Sequence, residues 1–182
     1  MKKIIVAALL LGATCPAFAQ AYKTSTAKIN FDATSPKSPE DIKAVNNEVS
    51  CALTPTGDFV FMLGVKSFKF KNDLMQQHFN ENYMESEKFP KSTFKGKVVN
   101  IADANLAKDG TYNVKVAGDL TIHGVTKNVS VPGTLTVKGN TVMAKAVFKA
   151  ILADYKIDIP SVVSDKLAKE ASIVIDAVMT KK

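Results

Sequence analysis

The sequence predicts an all-β protein, an antiparallel barrel of roughly eight strands carrying one or two short helices. Three observations carry that prediction. Apolar residues recur at every second place through most of the chain, the period that sorts the side chains of a strand onto two faces. The runs are separated by short turn-forming clusters, such as Pro55-Thr56-Gly57-Asp58 and Lys138-Gly139-Asn140, which join neighbouring strands antiparallel. Between Lys71 and Met84 the period changes to that of a helix. A length of 182 residues suits one domain, large enough to bury a core or a cavity but not two of each.

Taken in order, Ala27, Ile29 and Phe31 alternate with Lys28, Asn30 and Asp32 as a first strand, broken by Ser35-Pro36-Lys37-Ser38-Pro39. Residues 42–46 read as a ragged piece of strand before the inward series Val49, Cys51 and Leu53. Phe59, Phe61, Leu63 and Val65 follow, with Val60 and Met62 on the opposite face. That strand is apolar on both sides, so partial cover is expected on both. Asn72 is placed to cap a short helix on which Leu74, Met75, His78 and Phe79 share a side. After Phe89-Pro90 a strand returns with Phe94, Gly96 and Val98 on one face, then a polar loop at 103–110.

The alternation is clearest from Val114 to Val137. Val114, Val116, Gly118, Leu120 and Ile122 share one face; Lys115, Asp119, Thr121 and His123 take the other. Gly124 suits a short hairpin connection that demands a positive φ. The return run through Val129 and Val131 is expected to break at Pro132-Gly133 before Leu135 and Val137. Val142, Ala144, Ala146 and Phe148 form the next strand, Ser161 is placed to cap a short helix ending near Glu170, and Ile173, Ile175, Ala177 and Met179 form the last strand.

An open sheet of this many strands would leave two unpaired edges and an apolar face that one short helix cannot shield. Closure into a barrel removes both problems. Such a barrel holds either packed side chains or one slender ligand. The inward positions mix large residues (Phe31, Phe61, Leu63, Phe94, Leu120, Ile122, Phe148) with small ones, namely Ala27, Gly96, Gly118, Ala144, Ala146 and Ala177. Small residues on several walls predict a cavity; a filled, tapering core is the other outcome. A cavity so lined has no inward charge and matches a long apolar guest, an isoprenoid chain, a fatty acid or its amide.

The first residues stand apart from the barrel. Lys2 and Lys3 precede an apolar run at 4–13, and Ala17-Phe18-Ala19 presents small residues to a signal peptidase, so residues 1–19 read as a cleaved signal peptide and 20–182 as the mature domain, periplasmic or secreted. Cleavage would remove Cys15 and leave Cys51 alone, a buried structural thiol by its place between Val49 and Leu53. The net charge of +7 comes without arginine clusters or interleaved aromatics. That argues against a nucleic-acid partner and allows only a weak, transient attraction to anionic lipid headgroups.

The decamer Gly118-Asp119-Leu120-Thr121-Ile122-His123-Gly124-Val125-Thr126-Lys127 resembles the GDLTIHGVTK signature of the YceI-like family of bacterial lipid-binding proteins. Phe68-Lys69-Phe70, the segment 75–84 and Phe89-Pro90-Lys91-Ser92-Thr93-Phe94-Lys95-Gly96 are similar to family landmarks in the same order. The resemblance implies a lipocalin-like barrel with a polyisoprenoid or related amphiphile in a central hydrophobic tunnel.

The candidate ligand-binding residues are therefore the seven large inward side chains together with Ala144, and Leu74, Met75, Phe79 and Tyr83 at a lid or mouth. Tyr83, Tyr112 and Tyr155 carry hydroxyls that a headgroup could meet at a rim. No catalytic residue, metal site or cofactor is expected. His78 and His123 belong to no metal-binding pattern, and His123, beside a turn, reads as structural. A solid barrel that engages an envelope partner, and a small lipid-modifying enzyme, are the competing readings.

Overall fold

A computed structural model describes residues 21–182; the expected signal peptide, 1–19, and Cys15 lie outside the described residues. The described residues form nine strands: β1 Tyr22–Thr34, β2 Lys43–Leu53, β3 Asp58–Gly64, β4 Lys69–Phe70, β5 Lys91–Val98, β6 Gly110–Ile122, β7 Val125–Lys138, β8 Thr141–Ile151 and β9 Leu167–Lys181. Among the described residues a single α-helix, α1, spans Asp73–His78. Eight strands close in the order β1-β9-β8-β7-β6-β5-β3-β2 and back to β1, every pairing antiparallel.

β1 is the closing stave. It pairs with β9 through Ile29–Ile175 and Phe31–Ile173, and with β2 through Phe31–Ala44, which leaves no free edge between first and last strands. The two-residue β4 lies on the start of β2, below the point where β3 stops pairing. Residues 42–46 are therefore continuous with the strand after them. Their ragged pattern is a bulge: the register steps from Ala27–Val49 to Ile29–Asn46, one extra residue on β2. Asn46, fully buried, is satisfied there by donating to the Gly64 carbonyl at 3.0 Å and accepting from the Glu48 N–H at 2.9 Å.

Asn72 caps α1 as its position predicts, Oδ1 accepting from the N–H groups of Leu74 (2.9 Å) and Met75 (3.2 Å). The helix continues as one wide π turn, Phe79–Tyr83. The β6–β7 hairpin closes on two residues, His123 at φ +50° and Gly124 at φ +70°. Two successive positive φ values match the right-handed twist of the flanking strands, and they move His123 from the polar strand register into the turn itself.

Three expectations are corrected. The helix foreseen after Ser161 is only a 3-10 turn, Ser161–Val163, with no side-chain cap. The residues beyond it join β9, where Leu167 pairs with Thr34 and Glu170 with Ile151; ladders on both sides outweigh the marginal stability of an isolated short helix. Pro132-Gly133 does not break its strand: β7 runs through both, with Pro132 opposite Lys115. Val60 and Met62 are less covered than expected, each 43% exposed, because among the described residues no second layer packs on the outer surface of the barrel.

Candidate functional site

Inside the barrel lies an apolar cavity of about 160 Å³, whose exposed lining is almost entirely carbon. A single water needs roughly 10–15 Å³ by the same measure, so the interior is not a filled core. Of the twelve candidate residues, nine line this space: Phe31 on β1, Phe61 and Leu63 on β3, Phe94 on β5, Leu120 and Ile122 on β6, Ala144 and Phe148 on β8, and Phe79 on the π turn.

Leu74, Met75 and Tyr83 do not reach the cavity. They line an outer pocket of about 320 Å³ beside α1, together with the polar Glu40, Asn72, His78 and Lys166. Leu74 is 59% exposed there. The two spaces share Phe31, Phe79, Met84, Leu152 and Ile157 as walls. Phe79 is the centre of that partition, with Phe70, Phe68 and Phe31 at ring-centroid distances of 4.9, 5.5 and 5.6 Å in tilted or edge-on packing. Burial pushes the Tyr83 hydroxyl above its ordinary pKa. Tyr112 lines neither space, its hydroxyl donating to the Lys108 carbonyl at 2.9 Å, so it drops out as a rim candidate.

The room in the cavity does not arise where small residues alone would place it. Only Ala144 and Ala146 of the six predicted small residues line it; Ala27 and Ala177, each 1% exposed, are packed against neighbours. Gly96 and Gly118 stand opposite each other across β5 and β6. A Cβ on Gly96 would lie 2.7 Å from Gly118 Cα and 2.6 Å from the ring of Phe94. These glycines allow two backbones to approach and a phenyl ring to lie over them, so they leave no void.

Further strand residues such as Phe59, Val114, Val131 and Ile173 also line the cavity, as do Phe68, Met84, Leu152, Ile157 and the rim candidate Tyr155. The last five, Phe68, Met84, Leu152, Ile157 and Tyr155, sit outside the long strands, in segments with no period of two. Their only signal was apolar character in turns. Desolvation, and secondarily Asp154, raises the Tyr155 hydroxyl pKa.

His123 holds this end of the barrel together. Its Nε2 lies 2.8 Å from Glu85 Oε2 and its Nδ1 3.1 Å from the Tyr155 carbonyl oxygen, acceptors both. Phe89 packs edge-on at 4.6 Å. With both ring nitrogens engaged, the side chain ties the segment after the π turn and the β8–β9 connection to the β6–β7 hairpin. Cys51 is also structural, buried against β3, and desolvation pushes its thiol up to about 12. Among the described residues, no group of three or more His, Cys, Asp or Glu side chains is arranged to hold a metal ion.

The chain matches the YceI-like domain over residues 17–179. Its fold is shared by a polyisoprenoid binding domain from Saccharophagus degradans (TM-score 0.77, 14% identity, 90% of this chain and 99% of that one). BcnA of Burkholderia cenocepacia is also similar (TM-score 0.69, 18% identity, 85% and 96% covered), as is a YceI protein of Campylobacter jejuni (TM-score 0.61, 16% identity, 79% and 86% covered). No curated protein sequence matches the chain.

Proposed function

Because the chain belongs to the YceI-like domain family, we propose that it binds a long apolar lipid, a polyisoprenoid, fatty acid or fatty amide, and carries or sequesters it without chemical change. The observation that carries this reading is the cavity inside the barrel with its carbon lining. Nothing charged projects into it to anchor a headgroup, so affinity comes from tail burial, roughly 0.8 kcal/mol per methylene. A binding function in the Saccharophagus degradans relative supports the same class of guest.

Residues 1–19 act in this reading as a cleaved export signal, which places the mature protein in the periplasm or outside the cell. Contact with membranes is transient, through scattered lysines attracted to anionic lipid. Organic extraction of protein purified from its natural source, followed by mass spectrometry, is expected to yield a stoichiometric lipid. An empty protein that also takes up neither prenyl nor acyl probes would overturn the reading. Amino-terminal sequencing of the exported form is expected to begin at Gln20.

A further inference from the structure

The ladder between β7 and β8 ends well before the strands do. β6 and β7 are paired over 13 residue pairs, from Gly110–Val137 to Ile122–Val125. β7 and β8 share only 6 pairs, ending at Gly133–Ala146. Beyond that fork both strands continue: residues 125–132 of β7 pair with β6 alone, and 147–151 of β8 pair with β9 alone.

Pro132 gives the physical reason. Lys115, opposite it on β6, uses its own backbone on the other side, donating to Asn100 Oδ1 at 2.8 Å and accepting from the Val99 N–H at 2.9 Å. The Lys115–Pro132 pair is therefore a non-hydrogen-bonded one, and the nitrogen of Pro132 faces β8. It has no hydrogen to give, so the ladder to β8 loses its next rung. At the far end the gap is bounded by the turn Leu152–Tyr155, tethered to the hairpin through the His123–Tyr155 contact.

The cavity runs to both banks of this fork. Val129, Val131 and Gly133 line it from β7, and Ala146, Phe148 and Ala150 from β8. On the outer face of the same stretch of β8, Val147 and Ile151 are 59% and 49% exposed. The exit past α1, at this same end of the barrel, is stoppered by the rings packed on Phe79.

We propose that the fork between β7 and β8 is a side portal through which the apolar chain of the ligand passes between the cavity and the outside, with Val147 and Ile151 as its first apolar contacts. The assignment rests on the binding reading above and adds the route to it. A chain sliding sideways between two strands never has to disassemble the aromatic partition, and the strand edges it passes are not paired with one another.

Ser130 and Lys149 would face each other had the ladder continued. The test is the Ser130→Cys/Lys149→Cys variant bridged by a short reducible bis-thiosulfonate, with Cys51 shielded by burial. The control is Thr136→Cys/Met143→Cys, a pair already in register on the same two strands. Stopped-flow uptake of a fluorescent polyene fatty acid, and its release to vesicles, are followed before bridging, after it and after reduction. Bridging the fork is expected to slow both rates by about tenfold or more, a barrier higher by about 1.4 kcal/mol, and reduction to restore them, while the control bridge leaves them unchanged. Equal rates with the fork bridged would overturn the portal, as would slowing seen only when α1 is tethered through Leu74→Cys/Val163→Cys. Failure of the unbridged protein to take up the probe at all would remove the binding reading itself, and the portal with it.

Discussion

Two walls of this barrel carry small inward residues, and they behave in opposite ways. On β5 and β6, Gly96 and Gly118 sit against each other, with the ring of Phe94 over the gap. On β8, Ala144 and Ala146 face the cavity. The larger side chains thus border the empty space and the smaller ones border none. A small residue creates volume only when nothing opposite moves in to fill it, so the cavity belongs to the arrangement of the walls and not to any one position.

The comparison is most directly broken by adding atoms to each wall. Gly118→Val places a Cβ within 3.0 Å of the Gly96 backbone nitrogen, where neither strand can move away. A loss of about 3 kcal/mol is expected, read as a Tm roughly 6–12 °C lower by calorimetry. Ala144→Phe adds more atoms, but into the cavity. Its stability in urea is expected to stay within about 1.5 kcal/mol of the parent, while affinity for a fluorescent acyl probe falls by about tenfold or more. Equal destabilisation by the two substitutions would erase the distinction between the walls.

The packed side can also be probed by titration through Cys51. Its thiol is raised from 9.0 to about 12 by burial, so between those values the folded protein keeps a proton that the unfolded chain has released. Stability is therefore intact below pH 9 and declines as pH rises, by about 1.4 kcal/mol per unit for this one group. Urea denaturation at pH 9 and pH 10 is expected to show that slope reduced in Cys51→Ala relative to the parent. The smallest effect belongs to the outside of the same packed region. Val60→Thr and Met62→Thr, on the exposed face of β3, are expected to change stability by no more than about 0.5 kcal/mol and probe binding not at all.

The cap at Asn72, the hairpin at Gly124 and the inward series of every long strand were legible because each depends on residues a few places apart. Eight of the nine candidate residues that reach the cavity do so for the same reason, strand parity assigning them a face, and the ninth, Phe79, lies on the π turn. Leu74, Met75 and Tyr83, assigned from the sequence to a lid or mouth, line the outer pocket beside α1, since a helical period shows that a helix is amphipathic but not which surface its apolar side meets. Residues 167–170 have local features that suit a helix, and two neighbouring strands distant in sequence claimed them instead. Pro132 was read as a local break, whereas what it interrupts is the pairing with a neighbouring strand.

By itself the sequence determined that the chain is built of antiparallel strands with one oily face each, that those faces must close on one another, and that the enclosed surface is free of charge. These follow from alternation and turn chemistry, which act over a few residues. Only the tertiary structure decided which wall is packed and which faces space, that Phe79 divides the interior from an outer pocket, and that the wall parts beyond Pro132. Volume and hydrogen-bond partners depend on what stands opposite a residue across the barrel, and that is set by chain segments far away in sequence.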